Sequence, residues 1–207
     1  MNNNNNPQIE TITCKAILLG ESGIGKTCII RRLCTDSYDS NSIATVGSSC
    51  SVKVIEYPTH QRIKFEVWDT AGQESYRSLN KIFYRDAKIV ILVYDITNRK
   101  SFDELQHYWA RQLDSTCLNC SIIGIAANKS DLFNKEQISE EEGVEFANSL
   151  DAVFKLTSAF QGSGINELFQ KLGEKLLNIN QEPVVNQSIT LDEEQIKKKK
   201  EKPSCCK

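Results

Sequence analysis

Lys26 and Thr27 close the run Gly20-Glu21-Ser22-Gly23-Ile24-Gly25-Lys26-Thr27, which has the spacing G-x-x-x-x-G-K-[ST]. Each residue type in it has a use around a phosphate. Glycines let consecutive backbone N–H groups turn inward on phosphate oxygens, and a helix that follows adds the positive end of its dipole. Lys26 brings a compact positive charge for the β and γ phosphates, and the Thr27 hydroxyl is a hard oxygen ligand for Mg²⁺. Nucleoside triphosphate binding is implied, with Cys28 continuing from the loop into the helix. The loop alone leaves the base and the reaction open.

Three more compact polar clusters each follow an apolar run: Asp69-Thr70-Ala71-Gly72-Gln73-Glu74, Asn128-Lys129-Ser130-Asp131 and Thr157-Ser158-Ala159. Ligands of open α/β sheets bind beyond the carboxyl ends of the strands, so these are the positions where chemistry is expected. A carboxylate at Asp131 can accept from the N1–H and the exocyclic amine of guanine, but would face an acceptor on adenine. A site built around such a group rejects the wrong base by about 10⁴-fold or more.

The elements that must position these groups follow from the apolar pattern. Ala16-Ile17-Leu18-Leu19 predicts a strand before the phosphate loop and Cys28-Ile29-Ile30-Arg31-Arg32-Leu33-Cys34 a helix after it. Residues 36–49 are polar and form a long loop of a length that is usually functional or disordered. Alternation over 51–57 and 62–68 predicts two strands with one wet face, joined by a turn at Pro58 to Gln61. Continuous apolar strands at 89–94, 121–127 and 153–156 then alternate with helical segments at 101–114, 139–149 and 164–178, a pattern that requires a parallel sheet covered on both faces. Ser101 with Glu104 and Ser139 with Glu142 read as capping boxes at two helix starts. The fold expected is α/β: a doubly wound six-stranded, mostly parallel sheet with helices on both faces and one antiparallel strand.

Bulk composition narrows the class. A chain of 207 residues, 40% apolar, can build one well-buried domain. Its net charge of -2 gives no reason to expect nucleic acid as a partner. No apolar run approaches a membrane span, and Met1 followed by Asn2 to Asn6 lacks the basic and apolar regions of a signal peptide, so folding in the cytosol is expected. Of the eight cysteines, Cys14, Cys28, Cys34 and Cys50 are accordingly read as reduced thiols, some of them packed as small hydrophobes. Cys117-Leu118-Asn119-Cys120 has redox or half-zinc spacing but no second pair at zinc-finger distance. His60 and His107 are isolated and read as surface residues. Residues 1–12 are expected to be a disordered Asn-rich lead-in, 13–178 the folded domain and 179–207 a flexible tail.

In order and spacing, these clusters resemble the small Ras-like GTPases, and most of all the Rab branch, over about residues 13–178 and again at the last few residues. The resemblance implies a GTP-hydrolysing molecular switch that regulates vesicle traffic. It places Asn128 at the base edge, the Lys129 stem over the base plane, Ser158 and Ala159 around the guanine carbonyl, and the Tyr38 ring against guanine. It has Asp69 hold Mg²⁺ through water and Thr45 join Mg²⁺ when the γ phosphate is present. In hydrolysis Lys26 and Thr45 act with Gln73, which orients the attacking water, and the Gly72 N–H meets the γ phosphate. No arginine finger is evident, so the intrinsic rate should be slow, roughly 10⁻⁴ to 10⁻³ per second, and raised up to about 10⁵-fold by a partner. The segments around Thr45 and from Gly72 to Tyr84 would then be held by γ-phosphate contacts and released on its loss. Exchange factors, activating proteins and effectors would read those segments.

Two places depart from the family pattern. Ser48-Ser49-Cys50 stands where Rab proteins carry an apolar residue, an acid and a phenylalanine, so that Trp68 and Tyr76 match two aromatics of the effector surface and Cys50 replaces the third. Phe160 replaces a lysine common after the Ser-Ala pair, with little consequence expected. The altered segment motivates a second reading, a guanine nucleotide binding scaffold with little turnover. A P-loop kinase of small metabolites is disfavoured, because no arginine-rich lid is visible. At the terminus, Lys197 to Lys200 and Lys202 precede Cys205-Cys206-Lys207. This is not a C-a-a-X box. The paired cysteines resemble the Rab signal for double geranylgeranylation, which implies prenylation escort and dissociation-inhibitor proteins as partners. Two lipid chains with adjacent lysines would anchor the protein on the cytoplasmic face of an endomembrane or the plasma membrane, cycling with the cytosol.

Overall fold

The computed structural model describes residues 10–39, 45, 48–58, 60–70, 85–116 and 122–181. Its centre is a sheet of six strands: β1 (Glu10–Leu19), β2 (Ser48–Glu56), β3 (Gln61–Thr70), β4 (Ile89–Asp95), β5 (Ile122–Asn128) and β6 (Val153–Leu156). Their spatial order is β2-β3-β1-β4-β5-β6, and only β2 runs antiparallel to its neighbour. The expected doubly wound sheet is thus observed. Around it lie α1 (Lys26–Thr35), α3 (Glu140–Ser149) and α4 (Ile165–Gln181). A longer helix, α2, runs Arg99–Glu104, passes through a π turn at Leu105–Trp109 and continues as Ala110–Thr116.

The central strands are buried on both faces because their apolar residues run without interruption. Side chains of β1 and β4 alternate between two cores. Leu18, Ile91 and Val93 join Ile29 and Leu33 of α1 and Phe169 and Leu172 of α4 on one face. Leu19, Val90, Leu92 and Tyr94 join Phe102, Leu105 and Trp109 of α2 on the other. Covered in this way, the carboxyl ends of β1, β3, β4, β5 and β6 open onto one edge of the domain, where the polar clusters lie.

Several boundaries differ from the sequence reading. β1 begins at Glu10, inside the expected lead-in, because backbone pairing with β3 from Glu10↔Gln61 onward needs no apolar side chains. The last helix extends to Gln181, past the expected end at 178. The cap of α2 is Asn98, whose side chain accepts from the Ser101 N–H, rather than Ser101 itself. Ser101 is buried inside the first turn, where its hydroxyl donates to the Asn98 carbonyl (2.7 Å). At α3 the Ser139 hydroxyl does accept from the Glu142 N–H (3.3 Å), while the Glu142 carboxylate pairs with Arg99 (2.7 Å). On β2 the wet face carries apolar side chains: Val52 and Val54 are each 49% exposed, beside Glu66 and Lys64 of β3. As an edge strand β2 buries only the face towards α1, where Ser51, Lys53 and Ile55 stand half-buried.

Among the described residues no helix is long and apolar enough to cross a membrane. Cys14 is buried, Cys28 and Cys34 half-buried and Cys50 exposed, all as free thiols. His60 and His107 are on the surface. The C-x-x-C at 117–120 lies outside the described residues.

Candidate nucleotide and metal site

The phosphate loop joins the end of β1 to the start of α1. Gly20 (φ 144°) and Gly25 (φ 98°) adopt conformations that L side chains resist, and neither has room for a Cβ. At Gly20 that atom would strike the Val93 carbonyl; at Gly25 it would lie 2.5 Å from Asn128 Nδ2. Gly25 is the N-cap of α1 and offers no capping side chain, and the first turn has no acidic residue. That helix end therefore keeps its positive character for an anion. Ser22 and Gly23 are exposed at the rim, whereas Ile24 is buried and fixes the loop to the core.

Lys26 is buried, and its Nζ donates to the carbonyls of Gly20 (2.8 Å) and Glu21 (2.7 Å). Burial pulls its pKa down to about 8, against the opposing pull of Asp69 and Glu21. Neutral carbonyls are weaker partners for an ammonium than phosphate oxygens are. The lysine is thus held at the loop with partners that a polyphosphate would replace.

Three oxygen groups from distant parts of the chain converge beside it. Thr27 Oγ1 donates to Asp69 Oδ2 (2.6 Å), Thr45 Oγ1 donates to the same oxygen (3.1 Å), and the two hydroxyl oxygens lie 2.7 Å apart. Asp69 is 2% exposed, and its other oxygen, Oδ1, is buried without a hydrogen-bond partner among the described residues. A buried carboxylate oxygen in that condition is costly. Hard oxygen donors around an unsatisfied buried carboxylate fit Mg²⁺, which binds through one or two such groups and keeps several waters.

The base motifs are tied together more completely. Asn128, the last residue of β5, is buried; its Nδ2 donates to the Ile24 carbonyl of the phosphate loop (2.8 Å) and its Oδ1 accepts from Thr157 (3.3 Å). Lys129 is left-handed (φ 64°), and its Nζ reaches Asp95 Oδ2 (2.6 Å) and the Gly23 carbonyl (3.0 Å). Asp131 lies in a short 3₁₀ helix, Ser130–Lys135, and accepts from the Ser158 hydroxyl (2.5 Å). Ser158 in turn accepts from the Gln161 N–H (3.0 Å), and the Ala159 carbonyl accepts from Arg32 Nε (3.0 Å). Tyr38 lies just after α1, its ring against that of Phe160.

Of the residues singled out in the sequence, the loop 20–27, Thr45, Asp69, Asn128, Lys129, Asp131, Ser158 and Ala159 lie along this one edge. Cys28, in the first turn of α1, packs against the core. Gly72, Gln73, Tyr76, Cys205 and Cys206 lie outside the described residues. Two contributors were missed. Asp95 at the end of β4 anchors Lys129, and the rule that placed the other motifs at strand ends would have found it. Trp109 donates its indole N–H to the Glu21 carboxylate (3.1 Å) across 88 residues of chain. It sits at the end of the π turn, and a turn of that kind often marks a functional position in a helix.

Comparison with known proteins gives a consistent answer. The Ras family model matches residues 15–178. Ras-related protein Rab-22A of Mus musculus is 37% identical over 169 residues, covering 82% of this chain and 86% of the relative. Ras-related protein Rab-18 of Caenorhabditis elegans is 39% identical over 166 residues (80% of each). Ras-related protein Rab-8A of Bos taurus is 35% identical over 191 residues, or 89% of this chain and 91% of the relative.

Proposed function

The chain belongs to the Ras family, as a small GTPase of the Rab type, and on that premise we propose that it is a slow GTP-hydrolysing switch acting in membrane traffic. One observation carries the reading furthest. Asn128, from the base motif, donates to the carbonyl of Ile24 inside the phosphate loop, so base recognition and phosphate binding are one site rather than two. Asp131 then selects guanine through its carboxylate, and Lys129 lies between Asp95 and the loop, in reach of the base plane.

Mg²⁺, when bound, would neutralise charge on the β and γ phosphates. Thr27, Thr45 and Asp69 are the residues that would hold it, and Lys26 would move from the carbonyls of Gly20 and Glu21 to phosphate oxygens. Phosphoryl transfer asks little covalent chemistry of a protein, so positioning and charge carry the catalysis. Gln73 would orient the water and the Gly72 N–H would meet the γ phosphate; both roles rest on the family resemblance. Loss of the γ phosphate would release Thr45 and the segment from Gly72 to Tyr84, which is the switch.

The outer face of β2 and β3 supports an altered effector surface. Cys50 pairs in register with Trp68, so the thiol stands where the family pattern has an aromatic ring, in line with exposed Val52 and Val54. Cys205 and Cys206 would carry geranylgeranyl groups and make the protein peripheral to a membrane; replacing both with serine should leave it in the cytosolic fraction.

The direct test is extraction of nucleotide from purified protein, followed by single-turnover hydrolysis with and without Gln73→Leu. GDP or GTP in the extract and a wild-type rate at least tenfold above the mutant are expected. Bound ADP would overturn the base assignment. A wild-type rate equal to the mutant's would favour a binding scaffold over an enzyme.

A further inference from the structure

Phe160 and Tyr38 are both exposed for aromatic residues, at 60% and 40%, yet they meet each other. Their ring centroids are 5.4 Å apart with planes at 80°, the edge-to-face arrangement that aromatic pairs prefer. The two residues are 122 positions apart and come from loops that share no sheet pairing. One side chain brings the loops together. Arg32, near the end of α1, donates through Nε to the Ala159 carbonyl (3.0 Å), through one terminal nitrogen to the Phe160 carbonyl (2.9 Å) and through the other to the Asp36 carbonyl (3.0 Å). Asp36 adopts a left-handed turn (φ 50°) that ends α1 and launches the segment carrying Tyr38. A planar guanidinium holding three carbonyls from two loops is a rigid brace, and its planar fork loses little entropy in doing so.

We propose that Phe160 and Tyr38 form an aromatic latch, seated by Arg32, that closes over the guanine edge of the bound nucleotide and sets how long the nucleotide stays. This rests on the guanine site proposed above. Phe160 follows Ala159 directly, and the Ser158 hydroxyl on the same turn holds Asp131, so the ring stands at the rim of the base pocket. Phe160 then does what the aliphatic stem of a lysine could not: it gives Tyr38 a second ring to pack on while the base is in place. Edge-to-face pairs are worth a factor of about 2 to 12 in an equilibrium. Loss of an aromatic that stacks on a base costs a factor of about 5 to 150. A partner that drives nucleotide exchange would have to part the two rings.

Release of a fluorescent methylanthraniloyl GDP into excess GDP, with Mg²⁺ present, tests this in the full chain. Phe160→Ala should release nucleotide about tenfold faster than wild type. Phe160→Tyr, which keeps a ring, should release it within twofold of wild type. In the Tyr38→Ala background, Phe160→Ala should add less than twofold, because the rings act as a pair. The ratio of GDP to inosine diphosphate affinity should be the same in Phe160→Ala as in wild type, since the latch grips the ring and not the exocyclic amine; general damage to the base loop would move that ratio. Equal release by Phe160→Ala and wild type, or a full tenfold effect without Tyr38, overturns the latch. Failure of wild type to retain any labelled GDP overturns the guanine site itself.

Discussion

The two ends of the site are built differently. At the proposed base end the side chains assigned to the base are each engaged with another part of the site: Asn128 with the phosphate loop, Lys129 with Asp95, and Asp131 with Ser158. At the phosphate end the partners are substitutes. Lys26 donates to carbonyls of its own loop, two threonine hydroxyls crowd one carboxylate oxygen, and Asp69 Oδ1 is buried with no partner among the described residues. A scaffold completed by its own hydrogen bonds is prepared for either nucleotide. A cluster that satisfies itself poorly stands to gain most from a metal and from the terminal phosphate, and the phosphate is the ligand that would differ between the two states of the proposed switch.

That contrast breaks first at Asp131. Asp131→Asn should lower GDP affinity by about 10⁴-fold, because the amide opposes a donor to the exocyclic amine of guanine. Xanthosine diphosphate, which has a carbonyl in place of that amine, should recover most of the loss. Isothermal titration with both nucleotides measures it. Equal weakening for both would mean that the base end does not read the base.

Lys26→Met asks the opposite question of the phosphate end. Removing the ammonium should reduce GTP affinity on the order of 10²-fold, the worth of two charge-assisted hydrogen bonds. The nucleotide-free protein should melt at a higher temperature, because burial disfavours the charged form of this lysine. A mutant that both binds weakly and melts lower when empty would show that Lys26 stabilises the empty loop, contrary to its reading as a poorly matched charge.

Asp69→Asn and removal of the metal sharpen the comparison further. Chelating Mg²⁺ should speed GDP release from wild type about tenfold and leave Asp69→Asn, already fast, within twofold of its rate with Mg²⁺. An Asp131 variant should still respond to chelation, since the residues proposed to hold the metal all lie at the phosphate end. A chelator effect that persists in Asp69→Asn would move the metal away from this carboxylate.

Much of this was legible because the chemistry sits at strand ends. Asp69, Asn128 and Ser158 each come at or just after the end of a strand legible in the sequence, so the rule that ligands bind beyond the carboxyl ends of strands, together with the motif resemblance, told where their side chains would gather. What was not legible came from pairings remote in the chain. Arg32 looks like any basic residue on an amphipathic helix, and nothing local says that it will hold Ala159 and Phe160. Val52 and Val54 look core-facing by type, but β2 is an edge strand and register with β3 turns them outward. Ser101 looked like a cap because Glu104 follows it; the better acceptor was Asn98, which lies before the stretch that carries the helical pattern.

The smallest effect separates the site from the scaffold beneath it. Cys14 lies on β1, fully buried among the residues that support both ends, and burial pushes its thiol from 9.0 up to about 12. The group is neutral in the folded chain over that window and ionised in the unfolded one, so the unfolded state binds fewer protons. Its contribution is therefore fully present below about pH 9 and lost as pH rises towards 12, by about 1.4 kcal/mol per pH unit. Urea unfolding at pH 8 and pH 10 should show Cys14→Ala losing about 1.4 kcal/mol less than wild type over that interval, whatever its stability at pH 8. Because the thiol touches neither end of the site, the same difference should be found with GDP bound in excess. If nucleotide abolished it, the alkaline loss would belong to the phosphate end and not to the core, and the two ends would no longer share an indifferent scaffold.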